Sequence, residues 1–387
     1  MAERALAHVE KIEWIRPIEG ADNIELIGVL GWVCIAKKGE FNVGDMAVYI
    51  EIDSKCPETD ERFAFLANKK FKVKTMRLGK FKVISQGLAL PLSLFPELQD
   101  RNIGDDVTEA LKITYASEED AARKTNKVDP NAKYKSMAKR RPKLFANSIV
   151  RRIMRYSIGR KIMFLLFGRK KDNPKKFPDW IVKTDETRIE NAPFYLQSTE
   201  KWIKTEKCDG TSCTFAIDRL KKGKNKFDFI VCSRNVRQAD REQACYHESN
   251  IYWELADKYD IEKILTQFAT ENNYNRVVLQ GEGVGSVQGN PYKFTENKLF
   301  VFNLIIDGTR LGTVEMADFC KSHGLTSVPI IDTAYELPKT MEEMKLEADG
   351  YSELNPKVKR EGFVYRSIGG QQSFKNVSRE YLLKHNG

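Results

Sequence analysis

The 387-residue sequence predicts an α+β protein with three parts: a small N-terminal β module, a basic connector, and a larger C-terminal domain of antiparallel sheets and helices. Three observations carry this. Short apolar runs broken by turn residues fill roughly the first hundred positions, charge is concentrated in one internal stretch, and the C-terminal half places polar motifs and glycines inside apolar strand runs. The chain is too long for one ordinary core. The expected boundaries are 1–115, 116–176 and 177–387.

In the first part, strands are expected at Glu25–Val29, Val33–Ala36, Ala47–Glu51, Phe71–Met76 and Gly87–Pro91. Gly20-Ala21-Asp22-Asn23, Lys38-Gly39 and Val43-Gly44-Asp45 are the turn signals between them. About five short strands fit an OB-like barrel, a common nucleic-acid platform. The segment from Arg16 to Glu25 also resembles the opening of tRNA-binding OB domains. Arg77, Lys80 and Lys82 around Phe81 suit either an RNA-facing surface or a solvated strand edge guarded by lysines.

The connector is the most skewed stretch. From Arg123 to Lys176 there are 19 Lys and Arg against Asp129 and Asp172, a net +17 that exceeds the whole chain's +10. Such a run binds polyanions by counterion release without reading sequence. Within it, Ile149–Phe167 has the mixed apolar and cationic pattern of an amphipathic helix, so an anionic membrane surface competes with RNA. RNA is favoured because the C-terminal half carries motifs suited to nucleotide chemistry.

The first of these motifs is Glu206-Lys207-Cys208-Asp209-Gly210-Thr211-Ser212. A lysine two residues before Asp-Gly provides what covalent nucleotidyl transfer requires. Lys207 is the nucleophile once its amine is neutral, Asp209 can hold a metal, and Gly210 turns the backbone tightly away. Alone, the motif also fits a polar turn between strands. Further along the chain come Cys232-Ser233-Arg234-Asn235, Gln280-Gly281-Glu282, Phe300-Val301-Phe302-Asn303, Glu361-Gly362-Phe363-Val364 and Ser373-Phe374-Lys375.

In this order the motifs resemble the collinear series of the superfamily of ATP-dependent ligases and capping enzymes. Phe177 to Asn191, with Lys183-Thr184-Asp185-Glu186-Thr187-Arg188 inside it, resembles the segment before the nucleophile in a subset of RNA ligases. The β module at the front, and a chain that ends at Gly387 soon after Lys375, resemble RNA ligases with an N-terminal OB domain rather than DNA ligases or capping enzymes. The resemblance implies an ATP-dependent RNA ligase, with Mg2+ or Mn2+, joining RNA 3′-OH and 5′-phosphate ends in RNA repair, on a nicked duplex, as a monomer. It implies catalytic roles for Lys207, Lys375 and Glu361. Glu206 would read the adenine amino group, Phe302 would stack on the base, Arg234 and Glu282 would contact the nucleotide, and Asp209, Glu282 and Glu361 would surround the metal through water. One departure is visible: the fifth motif reads Phe374-Lys375-Asn376, so the second lysine of a Lys-x-Lys pair is missing, and Arg379 is a conceivable substitute.

Seven cysteines without a Cys-x-x-Cys pair argue against zinc and a disulfide framework, and suit a cytoplasmic or other reducing compartment. The first residues lack a secretory core, and Ile162–Phe167, the most apolar run, is flanked at once by Lys and Arg, so no membrane span is expected. Two rival readings remain: a GTP-using capping-type guanylyltransferase, and an inactive RNA-binding protein on the same scaffold.

Overall fold

The computed structural model describes residues 5–116, 142–167, 175–220, 226–238 and 250–385. Much of the basic connector and Cys245 lie outside them. By its contacts the chain divides into two units: Met1–Thr125 with Glu186–Lys207 and Pro329–Gly387, and Asn126–Asp185 with Cys208–Val328. The architecture is the expected α+β one.

The first unit opens with a five-stranded sheet whose centre is a strand the sequence patterning did not suggest, Ala7–Pro17. Its first half pairs with Met46–Ile50 and its second with Ile24–Val29. The register slips between Ile12 and Trp14, a bulge that bends one strand to serve both neighbours and curls the sheet as an OB barrel needs. Trp32–Lys37 and Leu88–Pro91 are the outer strands. The long strand was hidden because His8 and Glu10, charged by sequence, are buried and paired with each other at 2.8 Å. The expected strand at Phe71–Met76 does not form. Lys70 and Phe71 take left-handed φ of 54° and 58°, and the stretch makes an isolated bridge, Lys55 to Lys72, in place of a ladder. Arg77, Lys80 and Lys82 are exposed around the short hairpin Met76–Leu78 and Val83–Ser85, with Lys80 over the Phe81 ring.

One side of this sheet packs Val9, Val48, Phe63 and Phe95; the other packs Ile12, Ile27, Trp32 and Tyr49 together with Val377 and Leu382 from the far end of the chain. The OB-like sheet is therefore fastened to the C-terminal part of its own unit. A second sheet there runs in the order Thr187–Arg188, Ser373–Val377, Gly362–Ser367, Trp202–Lys207, Ile330–Tyr335. Trp202, Phe363, Tyr365 and Phe374 fill one face with Met344 of helix Met341–Ala348, which starts in a Thr340/Glu343 capping box.

In the second unit, the strands Phe227–Cys232, Thr211–Arg219, Arg276–Val284 and Lys298–Ile306 form an antiparallel sheet, extended by short edge strands. Period-two alternation divides its side chains. Cys213, Phe215, Leu279 and Val301 pack under helices Ile251–Lys258, Ile261–Asn272 and Thr313–Ser322. Ala216, Ile230, Val278 and Ile305 face the opposite way, beneath Phe177 and Ile181.

Candidate active site

In the first unit, the alternation along Trp202–Lys207 decides which side chains can work together. Trp202, Lys204 and Glu206 share the face of the aromatic core, and Thr205 and Lys207 share the other. Lys207 ends the strand opposite Gly362, and its Nζ lies 2.7 Å from Oε1 of Glu361, with the lysine side chain 26% and the glutamate 14% exposed. Gly362 serves the strand on its other side: a Cβ there would collide with the carbonyl oxygen of Asn376 and lie 2.9 Å from Cα of Val377. Lys375 pairs in register with Val364, which lies two residues from Gly362, so Lys375 belongs to the Lys207 face; it is 7% exposed. On the same face Arg366 and the Ser373 hydroxyl both donate to Glu186, the arginine at 3.3 Å. Glu186, Arg366 and Ser373 are thus tied into one network that the sequence motifs did not connect.

Glu206 departs from expectation. Its side chain points to the opposite face from Lys207, is 1% exposed, and accepts from the Ser352 hydroxyl and, at 2.7 Å, from the amide of Glu353. Burial pushes its carboxyl above the ordinary value despite those bonds. A carboxylate so engaged ties the strand that carries Lys207 to Ser352 and Glu353. Arg379 is likewise occupied, gripping Glu342 at 3.1 and 2.9 Å.

The second unit carries the remaining candidates. Ser212, Glu282 and Phe300 are aligned across three strands, with Thr214, Gln280 and Asn303 the next row on that face. Between those rows the register slips: Gln280 faces Asn303 and Gly281 faces Val301, which leaves Phe302 as the extra residue of a bulge. A bulge re-aims a side chain, and the Phe302 ring at this one is half-buried. The segment after Phe177 lies over the same face. Gln280 donates to the carbonyl of Val182 at 2.7 Å, and the hydroxyls of Thr184 and Ser212 are 3.0 Å apart. Asp185 holds Arg234 at 3.2 Å, a partner that the spacing of the second motif did not reveal.

The turn after Lys207 is set by two contacts. The amide of Asp209 donates to the Tyr292 hydroxyl at 2.6 Å, and a Cβ on Gly210 would strike the carbonyl of Gly283 and approach Cγ1 of Val284 to 2.8 Å. Gly210 is therefore there for close approach to the strand bearing Glu282. Among the described residues no group of three or more His, Cys, Asp or Glu side chains is spaced to hold a metal ion directly. In this unit Asp209 and Glu282 offer hard carboxylate oxygens of the kind that suit magnesium or manganese. Six cysteines are buried among the described residues.

An OB-fold domain family matches residues 6–92, and the RNA ligase family matches residues 200–381. The barrel-plus-ligase organisation thus defines the class, and the chain belongs to the RNA ligase family. Among solved structures, the Naegleria gruberi RNA ligase with pyrophosphate is 31% identical, with 99% of each chain covered and a TM-score of 0.75. A variant of that ligase with AMP and manganese gives 30% identity, 99% coverage of both chains and a TM-score of 0.75. Another with ATP and manganese gives 30% identity, covers 98% of this chain and 99% of its own, and has a TM-score of 0.73. Comparison with curated proteins found no match.

Proposed function

We propose that this ligase, of the class RNA ligase (ATP), joins an RNA 3′-OH to an RNA 5′-phosphate in three steps. In the first, Lys207 Nζ loses a proton and attacks the α-phosphorus of ATP; the bond to the β-phosphate oxygen breaks, giving a lysyl adenylate and pyrophosphate. In the second, an oxygen of the RNA 5′-phosphate attacks the same phosphorus and the P–N bond breaks, returning Lys207. In the third, the 3′-oxygen attacks the adenylylated 5′-phosphate, its proton is lost and AMP leaves. The observation that carries this reading is the pairing of Lys207 with Glu361 on the sheet face that also holds Lys375.

Charge management is the main task of such a site. Lys375 neutralises the α-phosphate. Arg234 binds the sugar or the phosphate of the acceptor, Glu282 binds ribose hydroxyl or metal-bound water, and Phe302 stacks on the adenine. Glu206 acts as a positioning residue through Ser352 and Glu353. Asp209, Glu282 and Glu361 would hold a divalent cation largely through water, and that ion supplies neutralisation of phosphate charge. Lys207 must leave Glu361 before it can attack, because a carboxylate favours the charged ammonium over the nucleophilic amine. A nicked duplex as substrate, service in RNA repair, a monomeric state and a cytoplasmic or other reducing location complete the proposal. ATP and manganese with the Naegleria ligase support the cofactors.

The test is transfer of label from α-labelled ATP or GTP with magnesium or manganese, read on a denaturing gel. Label from ATP on wild type and none on Lys207→Ala supports the reading. Label from GTP instead moves the protein to capping chemistry, and none from either leaves an RNA-binding protein on a ligase scaffold.

A further inference from the structure

Residues 142–167 carry an apolar surface that joining RNA ends does not call on. The sequence suggested one amphipathic helix from Ile149 to Phe167; the chain instead forms two, Ser148–Met154 and Ser157–Phe167, preceded by the short helix Pro142–Ala146. They make a small core of their own, with Met163 buried against Leu144, Phe145, Val150, Met154, Phe164 and Phe167. That core leaves two stripes outside. On Ser157–Phe167, Ile158, Ile162, Leu165 and Leu166 recur at i, i+4, i+7 and i+8 and are 70%, 50%, 84% and 64% exposed. Ile149 and Ile153, one turn apart on Ser148–Met154, are 68% and 38% exposed, and Tyr156 between the two helices is 67% exposed.

A solvated surface does not hold this many aliphatic side chains in register. Their surroundings say what covers them. From Pro142 to Phe167 there are six Lys and Arg and no Asp or Glu, and Arg151, Arg152, Arg155 and Lys161 are exposed on the same helices as the stripes. A phosphate backbone would match the cations but leave the leucines and isoleucines in water. An acidic protein groove would need its own apolar floor in register with two helices. A bilayer surface of anionic lipid provides both components at once, headgroup charge over hydrocarbon, and needs no fixed register. No helix among the described residues is long and apolar enough to cross a membrane, so the helices would lie on the surface.

We propose that the helices of residues 142–167 dock this ligase on anionic lipid membranes, with Ile158, Ile162, Leu165 and Leu166 inserted among the acyl chains and the flanking arginines and lysine on the headgroups. The proposal departs from the preference for RNA that the motifs downstream gave this stretch.

The experiment is flotation of the full-length protein with phosphatidylcholine vesicles, with and without phosphatidylserine, in low and high salt. Wild type is expected to float with the anionic vesicles and not with the neutral ones. The double substitution Leu165→Glu, Leu166→Glu should lower the bound fraction at least tenfold, and Arg151→Glu, Arg152→Glu should do so by several-fold. Lysyl-adenylate formation at wild-type rate in both variants shows that they fold. Absence of flotation overturns the proposal. So does binding that salt abolishes but Leu165→Glu, Leu166→Glu leaves intact, which is adsorption of a basic segment. Loss of RNA binding or of self-association in the leucine variant, without vesicle binding, would assign the stripe to RNA or to a second copy of the chain.

Discussion

Glu206 separates two ways in which a residue beside the proposed nucleophile, Lys207, can matter. If its carboxylate reads the adenine, changing it alters which nucleotide is used; if it anchors the strand, changing it alters how firmly Lys207 is held. The side chain is 1% exposed and accepts from the Ser352 hydroxyl and the Glu353 amide. Hydrogen bonds to a charged partner are worth about 1.5–3 kcal/mol each, and removal of the carboxylate also ends its own desolvation cost, so Glu206→Ala should destabilise by about 2–4 kcal/mol. Glu206→Gln can still accept from Glu353 and meet the Ser352 oxygen, so it should cost on the order of 1 kcal/mol. Urea denaturation measures both, and label transfer from ATP against GTP measures nucleotide choice. The expected result is that Glu206→Gln keeps the wild-type ATP preference within about twofold, a difference of under half a kcal/mol. A Gln variant of normal stability that loses the preference tenfold or more would refute the positioning argument and return Glu206 to the base.

Two further outcomes concern the frame of the first unit. Burial works against a charged His8, but the hydrogen bond to Glu10 and the Glu51 carboxylate 3.6 Å away outweigh it and lift the imidazole from 6.5 to about 9. A group raised on folding gives stability that is full below its unfolded value and lost as pH rises through its folded one. His8 should therefore contribute up to about 3 kcal/mol near pH 6 that disappears by about pH 9. Urea midpoints across that range should fall in wild type and flatten in His8→Gln; parallel curves would remove His8 from the account. Lys345 is 1% exposed, with Nζ 2.6 Å from both Glu190 and the carbonyl of Val377. Glu190→Ala strands that ammonium and should cost about 3–5 kcal/mol, whereas Glu190→Leu with Lys345→Met should recover most of it. A double variant no more stable than the single one would show that packing, not the unpaired charge, sets the cost.

By itself the sequence determined the class of fold and the RNA ligase family, and it named the residues proposed here as participants. Lys207, Glu361 and Lys375 stand in short motifs whose residue types are chosen for charge and whose glycines are chosen for close approach, and such choices are written locally. Alternation also made most of the OB-like strands readable. The strand Ala7–Pro17 was not, because burial of His8 and Glu10 depends on Glu51, some forty residues away. The facing of Glu206 was not legible either: whether the residue before Lys207 shares the face of Lys207 or turns into the core is fixed by its register with Phe363 and by Ser352, and neither is a neighbour in sequence. The same holds for the bulge at Phe302, which needs the count of residues on a partner strand. In the basic connector, composition showed the charge, but only the tertiary structure decided that Ile158, Ile162, Leu165 and Leu166 face outward while Leu144 packs against Met163. A helix's own core claims one side of it, and what remains exposed is known once that packing is known.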